Sequence, residues 1–144
     1  MIILDTNVLS ALMQQQPDRV VVAWLDAQPA EAVWISSITL FEARYGLALL
    51  PDSPRKTLLQ ERFEQLVQTD LANRVVVLDV RAARLAAQLA AERKSRGRPV
   101  DMRDTFIAGI ALAQGATLAT RNTRNFEDLA TPVINPWPHT TVNR

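Results

Sequence analysis

The chain has 144 residues, of which 48% are hydrophobic and 22% charged, a composition typical of one soluble globular domain and not of a disordered chain. The net charge of +1 excludes a strongly basic field over the whole chain, and the absence of cysteine excludes disulfides and thiolate chemistry. The apolar runs are far shorter than the ~20 residues that span a bilayer and the start of the chain lacks a signal-peptide pattern, so we expect a cytoplasmic protein without membrane contact.

The first third of the chain alternates short apolar segments with helical patterns. Ile2–Leu4 predicts a short buried strand, and the apolar spacing from Asn7 onward predicts a helix. Pro17 suits the first turn of a second helix, which is expected to end before Pro29. Residues 32–36 predict a second strand.

An amphipathic helix is predicted over residues 36–50. Its apolar positions recur at spacings of three and four residues: Ile38, Phe41, Tyr45 and Leu49. Such a stripe usually packs in the core, although exposed apolar positions here or on the alanine-rich helix further along could form an interface. Another helix is predicted to start at Pro54, with Ser53 as its N-cap.

The second half of the chain continues the alternation. Residues 74–80 predict a third strand, and the alanine-rich helix that follows is ended by Gly97. A helix over 101–115, again ended by a glycine, leads to a fourth strand over 116–120. A fifth strand is predicted within 131–136.

Short apolar strands that alternate with helices indicate an α/β domain. We predict a single three-layer α/β/α domain over residues 1–144, with a mostly parallel sheet of four to five short strands covered by helices on both faces. In such sheets ligands bind at the carboxyl ends of the strands. Asp5 directly follows the first strand, and we therefore expect it at that edge.

Four separate elements are expected to place a polar side chain at the same edge. Asp5 ends the first strand, and Glu42 lies in the first half of the helix after the second strand. Asp104 lies near the start of a later helix, and Asn122, with Thr120 just before it, follows the fourth strand. Their convergence indicates a site more strongly than any one of them does.

Each of these residues also has a structural role that would explain it alone. Asp5 could cap the next helix, Glu42 could be a solvated helix position, and Asn122 could be an ordinary turn residue. Asp101, three residues before Asp104, resembles part of a capping arrangement, and for Asp101 we favour that role.

Clustered carboxylates raise one another's pKa unless a cation compensates their charge. The single histidine, His139, lies in the C-terminal tail away from these acids, so neither a catalytic triad nor a histidine-rich zinc site is expected. Oxygen ligands without His or Cys favour Mg²⁺ or Mn²⁺. Such an ion can bind a phosphodiester and polarise an attacking water.

Other chemistries of α/β proteins lack their motifs in this chain. No G-x-G-x-x-G follows the first strand and no Walker-type G-x-x-x-x-G-K is present, in a chain with only four glycines. A haloacid-dehalogenase-like phosphatase needs a second Asp two residues after the first. Asn7 occupies that position, which disfavours a magnesium-dependent phosphatase.

Three segments in this order and spacing, MIILDTNVLSAL, ITLFEARYG and DTFIAGIALAQGATLATRNTRNF, resemble the PIN-domain family. More narrowly, they resemble its toxin ribonucleases of the FitB/VapC type. The resemblance covers residues 1 to about 136 and leaves a short tail, 137–144. It implies metal-dependent cleavage of RNA by the toxin of a type II toxin–antitoxin pair.

The resemblance also implies roles for individual residues. Asp5, Glu42 and Asp104 match the catalytic acids, and Asn122 matches a fourth, more variable position. Asp5 and Asp104 would bind Mg²⁺ or Mn²⁺, with Glu42 contributing directly or through a water. The small hydroxyl residues that line such sites are matched by Thr6 and Thr120.

Charge at the mouth of the site is where the chain departs from its relatives. They often have Asp directly before the Phe of the last motif, where this chain has Asn125. Substrate phosphates need cations, and the candidates nearest in sequence to the acids are Arg121, Arg124 and Arg103. The rest of the basic loop before Asp104 could contact phosphate or be a solvated surface; its cations are Arg93, Lys94, Arg96 and Arg98.

The resemblance implies three partners: an RNA substrate, a cognate antitoxin that covers the site, and further copies of the chain in a homodimer or dimer of dimers. The alternative function is a catalytically weak PIN-like module that binds RNA or a protein without cleavage, because Asn122 and Asn125 carry no charge. The intact acids at positions 5, 42 and 104 favour the nuclease.

Overall fold

The structure is a computed structural model that describes residues 1–137, so that His139 lies outside the described part of the chain. The strands are Ile2–Leu4 (β1), Val33–Ser36 (β2), Val75–Val76 (β3), Thr117–Ala119 (β4) and Val133–Ile134 (β5). They form one sheet in the order β3-β2-β1-β4-β5, and every neighbouring pair is parallel. The chain order reverses between β1 and β4, and in open α/β sheets ligands bind at the carboxyl ends of the strands at such a reversal.

Helices connect the strands. The α-helices are Thr6–Leu12 (α1), Arg19–Asp26 (α2), Ser37–Ala48 (α3), Pro54–Gln65 (α4), Val80–Ser95 (α5) and Met102–Gln114 (α6). Two one-turn 3-10 helices and one π-helical turn complete the regular structure: Ala30–Ala32, Thr123–Phe126 and Leu66–Asp70. Within residues 1–137, no helix is both long and apolar enough to cross a membrane.

Two cores lie on opposite faces of the sheet, because successive residues of a strand point to opposite sides. Ile3 and Leu118 pack in a core with residues of α5 and α6, whereas Leu4 and Ile35 pack in a core with residues of α1, α2 and α4. The predicted three-layer α/β/α fold is therefore confirmed, with a sheet of five parallel strands.

Two aspartates move element boundaries away from their predicted positions. Pro17 precedes the second helix instead of forming its first turn, because Asp18 is the N-cap of α2. The third strand is shorter than residues 74–80, because its pairing with β2 stops at Ser36 and Val76, and Asp79 is already the N-cap of α5. In both places the aspartate side chain accepts a backbone N–H and starts the helix.

The helix predicted over residues 36–50 forms as α3, but a different face of it is buried. Phe41, Tyr45 and Leu49 are 61%, 56% and 67% exposed. Ile38, from the predicted stripe, packs against one core. The residues that pack against the other core are Leu40, Ala43 and Leu47. These are also three and four residues apart, so apolar spacing alone could not identify the buried face.

Candidate active site

Asp5 is a buried carboxylate at the junction of two strand ends. It is 5% exposed, and its backbone N–H donates to the Ala119 carbonyl at 2.9 Å. Its Oδ1 accepts the Thr6 N–H at 2.8 Å, which makes Asp5 the N-cap of α1. Its Oδ2 accepts the Thr120 hydroxyl at 2.7 Å. The capping role and the position at the active edge therefore belong to the same side chain.

Asn7 joins the ends of β1 and β4. Its Nδ2 lies 3.3 Å from Thr120 Oγ1 and 3.4 Å from Asp5 Oδ2, and its Oδ1 accepts the Arg121 N–H at 3.2 Å. In the sequence, Asn7 stands out only because it occupies the position where a phosphatase needs its second Asp. Its place two residues after a carboxylate at a strand end is the signal that could have identified it as a site residue.

Glu42 reaches the same edge from α3. Its Oε1 accepts the Thr6 hydroxyl at 2.9 Å, and Thr6 Oγ1 lies 3.0 Å from the hydroxyl of the buried Thr39. Ser36, the N-cap of α3, lies 3.4 Å from the same Thr39 hydroxyl. A chain of hydroxyls therefore connects the end of β2 to Glu42. Ser36 and Thr39 carry no signal of this role in the sequence, because Ser and Thr at a helix start are ordinary capping residues.

Asp104 lies in the first turn of α6. Asp101 is the N-cap of this helix and accepts the Asp104 N–H at 3.0 Å, as expected for its capping role. Asp104 Oδ2 accepts a hydrogen bond from Asn125 Nδ2 at 3.4 Å. The positive end of the helix dipole favours negative charge at this position.

The pKa of Asp5 is raised above its ordinary value. Burial is the main cause, and the negative charges of Glu42 and Asp101 add to it. Hydrogen bonds from Thr120 and Thr6 act in the opposite direction without cancelling the increase. Asp5 therefore lacks a compensating positive charge of the kind that a bound cation would supply.

The pKa of Asp104 is raised by the same group of acids. Burial is the main cause that raises its pKa to about 6, followed by the charges of Asp101, Asp5 and Glu42. The hydrogen bond from Asn125 lowers this pKa. Because the acids act on one another's ionisation, they form one electrostatic site.

Arg103 brings a positive charge to this group. Its Nη1 lies 3.2 Å from Glu42 Oε2, and the side chains of Arg103 and Glu42 are 63% and 18% exposed. Arg103 directly precedes Asp104 on α6. The sequence predicted a phosphate contact for Arg103, and the structure places it against a catalytic candidate.

The loop after β4 places Asn122 and Asn125 differently relative to the acids. Asn122 is exposed at the start of the 3-10 turn, and the carboxamide that contacts an acid is that of Asn125. The Arg121 guanidinium lies over the Trp137 ring, 4.9 Å from its centroid. Arg124 is exposed on the 3-10 turn.

Arg93 is a buried structural residue and not part of a solvated basic loop. It is 4% exposed and donates to both carboxylate oxygens of Asp128 at 2.8 and 2.9 Å, and to the Asn125 carbonyl at 3.0 Å. The hydrogen bonds from Arg93 lower the pKa of Asp128. This ion pair fixes the loop that presents Asn125 to Asp104.

The donor set suits a divalent cation, since it consists of carboxylate oxygens with two raised pKa values. Among residues 1–137, however, no three His, Cys, Asp or Glu side chains are positioned together to hold a metal ion. Both carboxylate oxygens of Glu42 are engaged within the chain, one by the Thr6 hydroxyl and the other by Arg103. Asp5 and Asp104 offer carboxylate oxygens, which are the donor type that such an ion prefers.

The chain is similar to known proteins over almost its whole length. Residues 2–132 match the PIN domain family. The chain is 45% identical to the VapC ribonuclease Y4jK of Sinorhizobium fredii over 95% of this chain and 98% of that protein. It is 40% identical to the toxin FitB of Neisseria gonorrhoeae over 95% of this chain and 99% of that protein. The solved structure of FitAB bound to an IR36 DNA fragment matches with a TM-score of 0.88 and 38% identity, covering 99% of this chain and 100% of that chain.

Proposed function

This chain belongs to the PIN-domain family, and on that premise we propose that it is a cytoplasmic, metal-dependent endoribonuclease, the toxin of a type II toxin–antitoxin pair. One observation carries the proposal: Asp5 and Asp104, which belong to different elements at the carboxyl edge of the sheet, both have raised pKa values, and the charge of Glu42 contributes to both increases. The similarity to proteins named VapC ribonuclease and FitB toxin supports it.

Asp5 and Asp104 would hold Mg²⁺ or Mn²⁺, with Glu42 bound directly or through a water. When bound, such an ion stabilises developing negative charge on a phosphodiester and lowers the pKa of a water molecule. The side chains of this chain supply the positioning. Thr120 and the Thr6 N–H fix the two oxygens of Asp5, and the Thr6 hydroxyl orients Glu42.

Substrate phosphates would meet arginines around the acids. Arg103 and Arg124 are exposed, and Arg121 reaches over Trp137 beside Asn122. Arg103 carries positive charge beside Glu42, and Arg121 and Arg124 lie in the segment that follows Thr120, the residue that donates to Asp5. Such positive charge offsets the repulsion between the acids and RNA. We therefore assign these arginines to phosphate contacts, and Asn122 to a polar, uncharged position at the mouth.

An antitoxin partner is supported by the similarity of this chain to toxins in solved toxin–antitoxin complexes. A groove beside the acids offers a surface where such a partner would bind. The groove has a volume of 640 Å³ and runs from Thr6 and Glu42 between α1, α3 and α4. Leu58 and Leu59 are part of an apolar lining, and Arg55 and Arg62 add positive charge. We propose that an amphipathic antitoxin segment with acidic side chains binds here and blocks access to Glu42.

The exposed face of α3 supports self-association. Phe41 and Tyr45 stack with ring centroids 5.8 Å apart, and Leu49 extends the same exposed stripe. Exposed apolar surface of this kind is common at interfaces. We assign this face to the homodimer, or to the dimer of dimers, that the family resemblance implies.

The test is cleavage of an end-labelled structured RNA by the purified chain with Mn²⁺, Mg²⁺ or EDTA, alongside a small phosphate monoester. We expect cleavage of the RNA with either metal, none with EDTA, and no hydrolysis of the monoester. Binding of RNA without cleavage under every metal would replace the nuclease with the RNA-binding module. Hydrolysis of the monoester would instead indicate a phosphatase.

A further inference from the structure

Arg103 is bound to the acid that would complete the metal site. Its Nη1 lies 3.2 Å from Glu42 Oε2, and the other oxygen of Glu42 accepts the Thr6 hydroxyl at 2.9 Å. Both carboxylate oxygens of Glu42 therefore already have a partner within the chain. A cation held by Asp5 and Asp104 competes with Arg103 for Glu42.

We propose that Arg103 is an exchangeable counterion of the active site. It neutralises Glu42 in the metal-free protein, leaves Glu42 when a divalent cation binds, and then contacts a substrate phosphate. This inference rests on the proposed metal-dependent nuclease and deepens it, because it names the residue that links metal binding to substrate binding.

Two other arginines close to Asp104 are paired elsewhere. Arg93 and Arg98 line a cavity with Asp104, but both are paired with Asp128, at 2.8 and 3.4 Å. The Arg93 pair is buried on both sides and holds the loop in place. Arg103 differs because its partner is a candidate catalytic acid.

Exposure makes the exchange easy. The Arg103 side chain is 63% exposed, and exposed ion pairs contribute little to stability. A divalent cation attracts Glu42 with twice the charge of a guanidinium and repels Arg103 at the same time. Release of Arg103 therefore costs little and is favoured by the same ion that binds the acids.

The exchange couples two binding events. While the Arg103 guanidinium pairs with Glu42, it has fewer N–H donors left for a phosphate. Arg103 therefore becomes fully available to RNA only after metal is bound. By thermodynamic reciprocity, a phosphate that binds Arg103 also frees Glu42 and favours metal binding. The metal-free protein then presents less positive charge to RNA than the metal-bound one.

The test measures Mn²⁺ affinity without RNA, by the electron paramagnetic resonance signal of free Mn²⁺. We expect Arg103→Gln to raise Mn²⁺ affinity about two- to fivefold, the range that corresponds to the loss of an exposed ion pair. The matched control is Arg84→Gln, which removes the same charge from an exposed position on α5 and should leave Mn²⁺ affinity unchanged. Circular dichroism of each variant checks that it is folded.

A double-mutant cycle separates exchange from simple repulsion across space. In a Glu42→Gln background, Arg103→Gln should no longer raise Mn²⁺ affinity, because the acid for which metal and arginine compete is gone. In RNA cleavage, Arg103→Gln should raise KM despite the tighter metal binding. Opposite effects on metal and on substrate are not expected of a residue with only a structural role.

The outcomes distinguish this inference from the proposed function. If wild type binds Mn²⁺ but Arg103→Gln leaves its affinity unchanged, or if the gain persists with Glu42→Gln, the exchange is wrong and the nuclease stands. If wild type does not bind Mn²⁺ at all, both the metal-dependent nuclease and the exchange are wrong.

Discussion

The Thr120 hydroxyl donates a 2.7 Å hydrogen bond to the buried Asp5 carboxylate and also accepts the Asn122 N–H at 3.1 Å. Thr120 is fully buried at the end of β4. It therefore connects two strand ends through one oxygen atom. A buried carboxylate that loses such a donor keeps the cost of desolvation without the compensating bond.

We predict that Thr120→Val lowers the free energy of unfolding by about 1–3 kcal/mol, because it leaves Asp5 and the Asn122 N–H without this partner. It should also slow RNA cleavage. Thr120→Ser keeps the hydroxyl and should stay close to wild type in both measurements. Urea denaturation and cleavage of the same RNA test this, and equal behaviour of the Val and Ser variants would contradict it.

Asp104 should give the site its pH dependence. Its pKa is raised to about 6, and the protonated form cannot bind a cation. Metal affinity and cleavage should therefore rise as the pH increases through about 6 and level off above about 7. Measurements of Mn²⁺ affinity and of cleavage across this range test the prediction, and flat profiles would contradict it.

The same shift makes a prediction for stability without metal. A raised carboxylate pKa in the folded state means that stability from this group falls as the pH rises from about 4 to about 6. Asp104→Asn should therefore stabilise the protein in EDTA near pH 8, by about 1 kcal/mol after allowance for solvent screening. The gain should shrink near pH 5, and thermal unfolding at both pH values measures it.

The sequence could identify the main acids but not their contacts. Asp5, Glu42 and Asp104 could be predicted because each lies just after a strand or near the start of a helix. The contact of Asn125 with Asp104 depends on a loop held by the buried Arg93, whose partner Asp128 is 35 residues away. Local sequence patterns carry no signal for such a pairing.

At the scale of elements, α5 and α6 pack closely at Gly109. A Cβ atom added there would lie 2.5 Å from the Ala82 carbonyl oxygen and 2.7 Å from Ala86 Cβ. Both distances are too short for non-bonded atoms. The alanines of α5 favour helix formation. They also provide the small side chains that the close packing of α5 against Gly109 requires.

We predict that Gly109→Ala lowers the free energy of unfolding by about 1–3 kcal/mol, because overpacking outweighs the gain in helix propensity. The matched control is Gly46→Ala in α3, where nothing lies within 4 Å of the added Cβ. That variant should be more stable by up to about 1 kcal/mol. Chemical denaturation gives both values, and the same sign for both would contradict the packing argument.

The sequence predicted which segments form helices and strands more readily than it predicted which face of a helix is buried or how long a strand is. Apolar spacing predicted the helix that became α3, yet Phe41 and Tyr45 are exposed on it. Both sides of this helix carry apolar residues at helical spacing, and only the position of the sheet decides between them. The third strand is shorter than predicted because its pairing with β2 stops at Val76, and Asp79, which looked like part of a strand, caps a helix.

At the scale of the whole molecule, the strand order β3-β2-β1-β4-β5 did not follow from the sequence. The edge at which the candidate acids lie was predictable without the strand order. The carboxyl ends of parallel strands lie at one edge of the sheet whatever their order, so residues that follow different strands are brought to the same side. Strand order then decided which of them touch: β1 and β4 are neighbours, and Asp5 therefore meets Thr120.

The most direct test of the active site is RNA cleavage in Mn²⁺ by wild type, Asp5→Asn, Asp104→Asn and the control Asp26→Asn, an exposed aspartate on α2. We predict that the two site variants lose at least about 100-fold in rate, because each removes a charged ligand of the metal, and that the control matches wild type. Undiminished cleavage by folded Asp5→Asn or Asp104→Asn protein would show that the chemistry does not take place at these acids.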